Sequence, residues 1–310
     1  MTSKGAQLLK GGAVSFTLFA VLMWLALRQD LNVEEIKPVF LLPSVAAYVF
    51  VLVVRAAIFF LTAPKNTVFP FPIWLSLTAR HQLVFMFAPS GFGDLSFPIL
   101  AKKMLGLDML QASRLIAETR LRDICAVLGF GCLGLSATGH FAIFTFAAAM
   151  VCLVALYWSD LFASTVITVL QRFWPSGKRR NDTETVFGVT QPSKSVMERF
   201  RLMGLTLVLW GSASLGILAG FHAAGYAIGL PESWIMLAGL NVAGAIAISL
   251  AGFGVAEAGA TGVLVFLGLP LPVAAGIAII ARPLLLISNS LASVLIEIMT
   301  RMLGVSQYNK

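Results

Sequence analysis

Four arginines stand inside otherwise apolar stretches of this 310-residue chain: Arg55, Arg80, Arg120 and Arg282. A guanidinium at hydrocarbon depth costs several kcal/mol, so it faces a protein interior or a wet cavity. Its planar fork of donors matches a phosphate or a carboxylate bidentately. The candidate carboxylates in or beside these stretches are Asp94, Glu118, Asp123 and Glu257. Two readings follow. The arginines build a cationic pocket for a lipid phosphate, or each snorkels or pairs internally with Glu118, Asp123 or Glu257. Glu257, alone in an uncharged segment, reads as the carrier of a coupling proton, a contact for a substrate amine, or the ion-pair partner of Arg282. Asp94 reads as a site residue or as the cap of a helix. His81 reads as a proton relay or as a histidine that is merely hydrogen-bonded. Lys102, Lys103, Arg179 and Arg180 read as solvated charges.

Catalytic chemistry has no recognisable pattern here. GxxxxGK[ST], HExxH, GxSxG and CxxC are all missing from the sequence. Cys125, Cys132 and Cys152 lie in apolar segments without metal spacing. The sequence thus predicts no catalytic residue, no metal and no cofactor, and any transport would run downhill, on a gradient or with a partner.

The elements that must position these residues occur twice. Gly91-Phe92-Gly93 leads to Leu105-Gly106-Leu107, and Gly252-Phe253-Gly254 leads to Leu267-Gly268-Leu269. With one inserted residue, Arg120 falls opposite Arg282. A duplicated unit constrains the whole architecture.

The medium follows from composition. Hydrophobic residues make up 58 % and charged residues 12 %, and mean hydropathy is +0.90. A soluble domain carries about 25 % charged residues, so the chain is a polytopic membrane protein. Its net charge of +8 reads as cytoplasmic loop bias and contact with anionic headgroups, not as nucleic-acid binding.

The fold expected is all-α, with about six full spans, two re-entrant helical hairpins and an inverted repeat. Spans are expected at 11–27, 39–62, 116–136, 140–158, 202–228 and 274–299. The first apolar run lacks a cleavage site and reads as a retained span. The hairpins carry their tips at Pro89, Gly91 and Gly93 and at Gly252 and Gly254, because non-helical backbone at membrane depth must be buried in protein or line a cavity. Residues 1–173 form a first repeat with an N-terminal span, 174–201 a basic cytoplasmic linker and 202–310 the second repeat. Gly216 and Gly220 offer a small-residue face for close helix packing. Both termini are expected in the cytoplasm, in the plasma (inner) membrane. Inverted repeats of this kind occur in transporters whose site lies at the repeat interface.

The stretch from Pro89 to Asp123, PSGFGDLSFPILAKKMLGLDMLQASRLIAETRLRD, resembles the first conserved block of the lysylphosphatidylglycerol-synthase transmembrane family, the flippase-like membrane domains. Ser249 to Leu269, SLAGFGVAEAGATGVLVFLGL, resembles its glycine-rich second block, with Arg282 as the following arginine. Pro89, Gly93 and Asp94 match a Pro…Gly-acidic pattern, Arg120 and Asp123 an Arg-x-x-Asp pattern, and Glu257 the second block's acidic residue. Phe97 stands where the family carries an arginine, and the acidic residue usually next to Arg120 is displaced to Glu118.

This resemblance implies a lipid translocase acting on an anionic headgroup, with Arg120, Arg282, Arg80, Arg55, Asp94, Glu118, Asp123 and Glu257 as candidate substrate-binding residues. The soluble aminoacyltransferase domain of the two-part synthases is missing from this sequence, so it is not expected to make an aminoacylated lipid. Two alternatives stand beside the translocase: a membrane-embedded lipid-modifying enzyme, and a non-transporting partner of lipid or glycan biosynthesis enzymes.

Overall fold

A computed structural model describes residues 17–27, 36–64, 69–88, 92–162, 194–246 and 253–304. Pro89, Gly91, Gly252 and most of the expected linker lie outside the described residues. Every regular element among the described residues is helical. These are α1 (Thr17–Leu27), α2 (Leu41–Thr62), α3 (Phe71–Phe87), α4 (Phe92–Leu105), α5 (Met109–Ala137) and α6 (Ala142–Tyr157). After the linker come α7 (Val196–Ala223), α8 (Leu230–Ile246), α9 (Val255–Phe266) and α10 (Leu271–Met302).

Local chemistry explains the boundaries. Asp108 caps α5 by accepting from the Leu110 N–H at 3.1 Å. Ser195 and Glu198 form a reciprocal capping box at the start of α7, satisfying two amides that the helix itself cannot. Helix α7 therefore begins inside the last residues of the stretch expected as linker. The charged prelude and the apolar part of the expected third span are one continuous 29-residue helix, α5.

The duplicated sequence folds alike. In each copy two helices form a hairpin (α3–α4, α8–α9), and the Leu-Gly-Leu turn leads into a long helix (α5, α10). Gly106 and Gly268 both adopt positive φ, +61° and +99°, which a side chain would strain. Pairing between the copies is reciprocal. Helix α5 packs on α8, the entering arm of the other hairpin, and α10 packs on α3. Phe130 meets Trp234 across the first contact, with ring centroids 5.7 Å apart. Ser76 donates to Glu297 at 2.7 Å across the second.

Helices α2 and α7 pair antiparallel. Ser44 near the start of α2 donates to the Gly216 carbonyl near the end of α7, at 3.0 Å, whereas Val54 and Ile58 cluster with Leu202 and Leu209. The expected glycine face is used here: Gly216 lies against Tyr48, and Gly220 against Leu285 and Ser44.

The main core runs through these contacts and includes Tyr48, Leu52, Phe221, Met236 and Leu285. A second cluster of Phe59, Trp74, Phe97 and Leu107 sits under the first hairpin. Three helical stretches, Pro38–Thr62, Val196–Ala223 and Leu271–Met302, are long and apolar enough to cross a membrane. Outward-facing Phe144, Val151, Leu291 and Ile298 are exposed, as lipid-facing side chains are.

Candidate functional site

The first hairpin closes where Gly93 meets α3. A Cβ on Gly93 would lie 2.7 Å from the Phe85 ring and 2.9 Å from its Cα, so only glycine lets the arms approach this closely. The next residue, Asp94, is the third of α4 and lies in its first turn, where a carboxylate is favoured by the unpaired amides and the helix dipole. Asp94 accepts from Arg120 at 2.8 Å (Nε) and 2.5 Å (Nη2). The Arg120 guanidinium also lies over the Phe85 ring, 4.4 Å from its centroid.

From Arg120 the network runs inward. Its Nη1 is 3.5 Å from Asp123. Both carboxylate oxygens of Asp123 accept from Arg55 at 2.7 Å, and the Trp210 indole donates to it at 2.9 Å. Two arginines and two aspartates from α2, α4 and α5 thus alternate in one neutral chain. Exposure grades along it: Arg55 and Asp123 are 13 % and 6 % exposed, Arg120 and Asp94 29 % and 38 %. The Arg120–Asp94 end is the open one. His81 stands beside this chain, within electrostatic reach of Arg120 and Arg55. It bonds to Ser96 at 3.0 Å, and Ser96 donates to the Gly93 carbonyl. Phe97 fills its buried place against Phe59 and the edge of His81.

The second hairpin repeats the plan with different detail. Glu257 is the third residue of α9 and fully buried. It accepts from the Gly254 N–H at 2.6 Å. Gly254 has φ +83°, a conformation that favours glycine. Arg282 lies within electrostatic reach of Glu257 and Tyr48. Arg120 and Arg282 occupy the same position in their helices, eleven residues after Met109 and Leu271. In both copies, then, an arginine of the long helix lies near an acid in the first turn of the hairpin's returning helix, in a direct ion pair in the first copy and within electrostatic reach in the second. The sequence alignment sets Asp94 opposite Val255; helical register instead pairs it with Glu257.

The sequence comparison decides the family: residues 11–293 match the lysylphosphatidylglycerol synthase TM region family. The chain belongs to that family. It is an integral membrane protein. Searches among curated proteins and among solved structures found no match.

Not all the candidate residues of this family member come together. Arg80 leaves the others and binds Glu297 at 2.8 Å. Ser76 and Arg301 donate to the same carboxylate. Glu118 binds Arg122 and Lys194, not Arg120. Arg55 and Arg120 thus share one ion-paired network, while Arg80 and Glu118 belong to separate groups, each with its own counter-charge. Pattern reading missed Trp210, Glu297 and Tyr48. Glu297 carried a signal, being the one acid in the apolar run of α10. Among the described residues no cluster of metal-binding side chains occurs.

Proposed function

We propose that this protein is a lipid translocase, moving an anionic phospholipid or a polyprenyl-phosphate-linked lipid across the plasma (inner) membrane. The reading is carried by one observation: each copy sets an arginine of its long helix near an acid of the hairpin's returning helix, Arg120 bonded to Asp94 and Arg282 within electrostatic reach of Glu257. The antiparallel packing of α2 and α7 supports an inverted repeat, with two re-entrant hairpins among about six spans. Inverted repeats place a substrate site near the midplane between them. Both termini then lie in the cytoplasm.

Mechanistically, the half-buried Asp94, the most accessible member of its network, is the exchangeable partner. It is the more accessible pair of the network, so a headgroup phosphate can replace the Asp94 carboxylate on the Arg120 fork at less cost than at the Arg55–Asp123 pair. Arg55 and Asp123 hold Arg120 in place during the exchange. Rocking of one repeat against the other passes the phosphate to Arg282, while the tail stays in lipid. No chemical step on the lipid is required.

The test is a sidedness assay with the full chain in proteoliposomes carrying headgroup-labelled lipids. Protein-dependent movement of an anionic lipid between leaflets, with no conversion of that lipid in detergent, is expected. Turnover in detergent, or no movement by folded and inserted protein, would overturn the reading.

A further inference from the structure

Two helix crossings correspond through the duplication, α5 on α8 and α10 on α3, and they are chemically unlike. The first is dry and close-packed. Phe130 meets Trp234 there. A Cβ on Gly131 would lie 2.6 Å from that of Ala238, and one on Gly134 would lie 2.6 Å from the Pro231 carbonyl and 2.9 Å from the Ile235 side chain. The second crossing is held by charge. Arg80 grips Glu297 with two donors, Nη2 at 2.8 Å and Nε at 3.2 Å. Ser76 donates to the same carboxylate at 2.7 Å and Arg301 at 2.9 Å.

We propose that the α3–α10 crossing is a gate that parts toward water, with Glu297 as its latch, and that the α5–α8 crossing is the pivot that stays shut. The latch belongs to one copy only. Glu297 stands twenty-six residues after Leu271, and the residue twenty-six after Met109 in the other long helix is Leu135. It also sits at a wet edge. The Glu297 side chain is 11 % exposed, but its partners Arg80 and Arg301 are 28 % and 66 % exposed, and Arg301 is in the last turn of α10.

Parting costs the two crossings differently. Charges drawn apart at a wet edge regain hydration, which offsets much of the lost pairing. Interlocked apolar faces regain nothing and lose both burial and dispersion contacts. The gate also leads to the site already described. Arg80 adjoins His81 on α3, and His81 stands within electrostatic reach of Arg120 and Arg55.

The gate takes its purpose from the translocase reading, but its opening is measurable without lipid movement. Single cysteines would replace Ser76 or Ile235, both buried, one in each crossing. The full chain, with Cys125, Cys132 and Cys152 changed to alanine, would be held in nanodiscs and labelled with a charged, membrane-impermeant maleimide. Ser76→Cys should react about tenfold or more faster than Ile235→Cys, as expected where local opening is cheaper. Glu297→Gln leaves Arg80 without a counter-charge in the closed state alone, so it should speed labelling of Ser76→Cys by about tenfold and leave Ile235→Cys unchanged. Arg80→Gln, which removes the more accessible partner, should act in the same direction. Equal protection of both positions, faster labelling at Ile235→Cys, no response to either latch variant, or a rise at both positions together would overturn the gate. Lipid movement alongside a protected Ser76→Cys would sink the gate alone; an opening gate without lipid movement would sink the translocase reading alone.

Discussion

Arg55 and Asp123 meet at 2.7 Å although 68 residues separate them, and Trp210 donates to the same carboxylate at 2.9 Å. One aspartate therefore ties α2 and α5 of the first repeat to α7 of the second. The same aspartate steadies Arg120, which reaches outward to Asp94.

Asp123 should accordingly matter more for stability than Asp94. Removing one member of a buried pair strands the other's charge, at a cost of about 3 kcal/mol or more. Asp123→Asn should lower the thermal midpoint in detergent clearly, and Asp94→Asn should barely change it. Equal losses would contradict the inward grading of the network.

The two arginine–acid pairs should differ in strength. Double-mutant cycles on Asp94/Arg120 and on Glu257/Arg282 should both show favourable coupling, within the roughly 0.5–3 kcal/mol range of contacting pairs. The second should be larger, because Glu257 is buried and Asp94 is not. Zero coupling between Glu257 and Arg282 would remove the second site.

Close packing of α7 against α10 gives a third expectation. A Cβ on Gly220 would lie 2.3 Å from a Leu285 methyl, so Gly220→Val should destabilise by about 1–3 kcal/mol through overpacking. Gly204→Ala, where a Cβ meets nothing, should stabilise by up to about 1 kcal/mol by favouring helix. Chemical or thermal unfolding of the two variants in the same detergent checks the contrast.

Much of this was legible from residue patterns. The GFG…LGL repetition located both hairpins, their glycine turns and the matched arginines, because duplicated turns need the same backbone freedom. Asp123 and Glu257 were legible as internal partners for the arginines, but other partners were not. Glu297 reaches Arg80 across 217 residues, and Trp210 reaches Asp123 across 87; such contacts come from helix packing, which no local spacing encodes. The pairing of Asp94 with Glu257 was hidden for another reason. The aligned columns differ by two positions, and the two acids coincide only after each helix has set its own start.

The central claim rests on Arg120 and Arg282, and one measurement addresses it most directly. Leaflet-to-leaflet movement of an anionic and a zwitterionic labelled lipid would be followed in proteoliposomes holding wild-type chain or the Arg120→Gln/Arg282→Gln variant, both shown to be folded and inserted. The account predicts that wild type moves the anionic lipid faster than the zwitterionic one and that the variant loses this difference. Undiminished movement of the anionic lipid by the variant would contradict it.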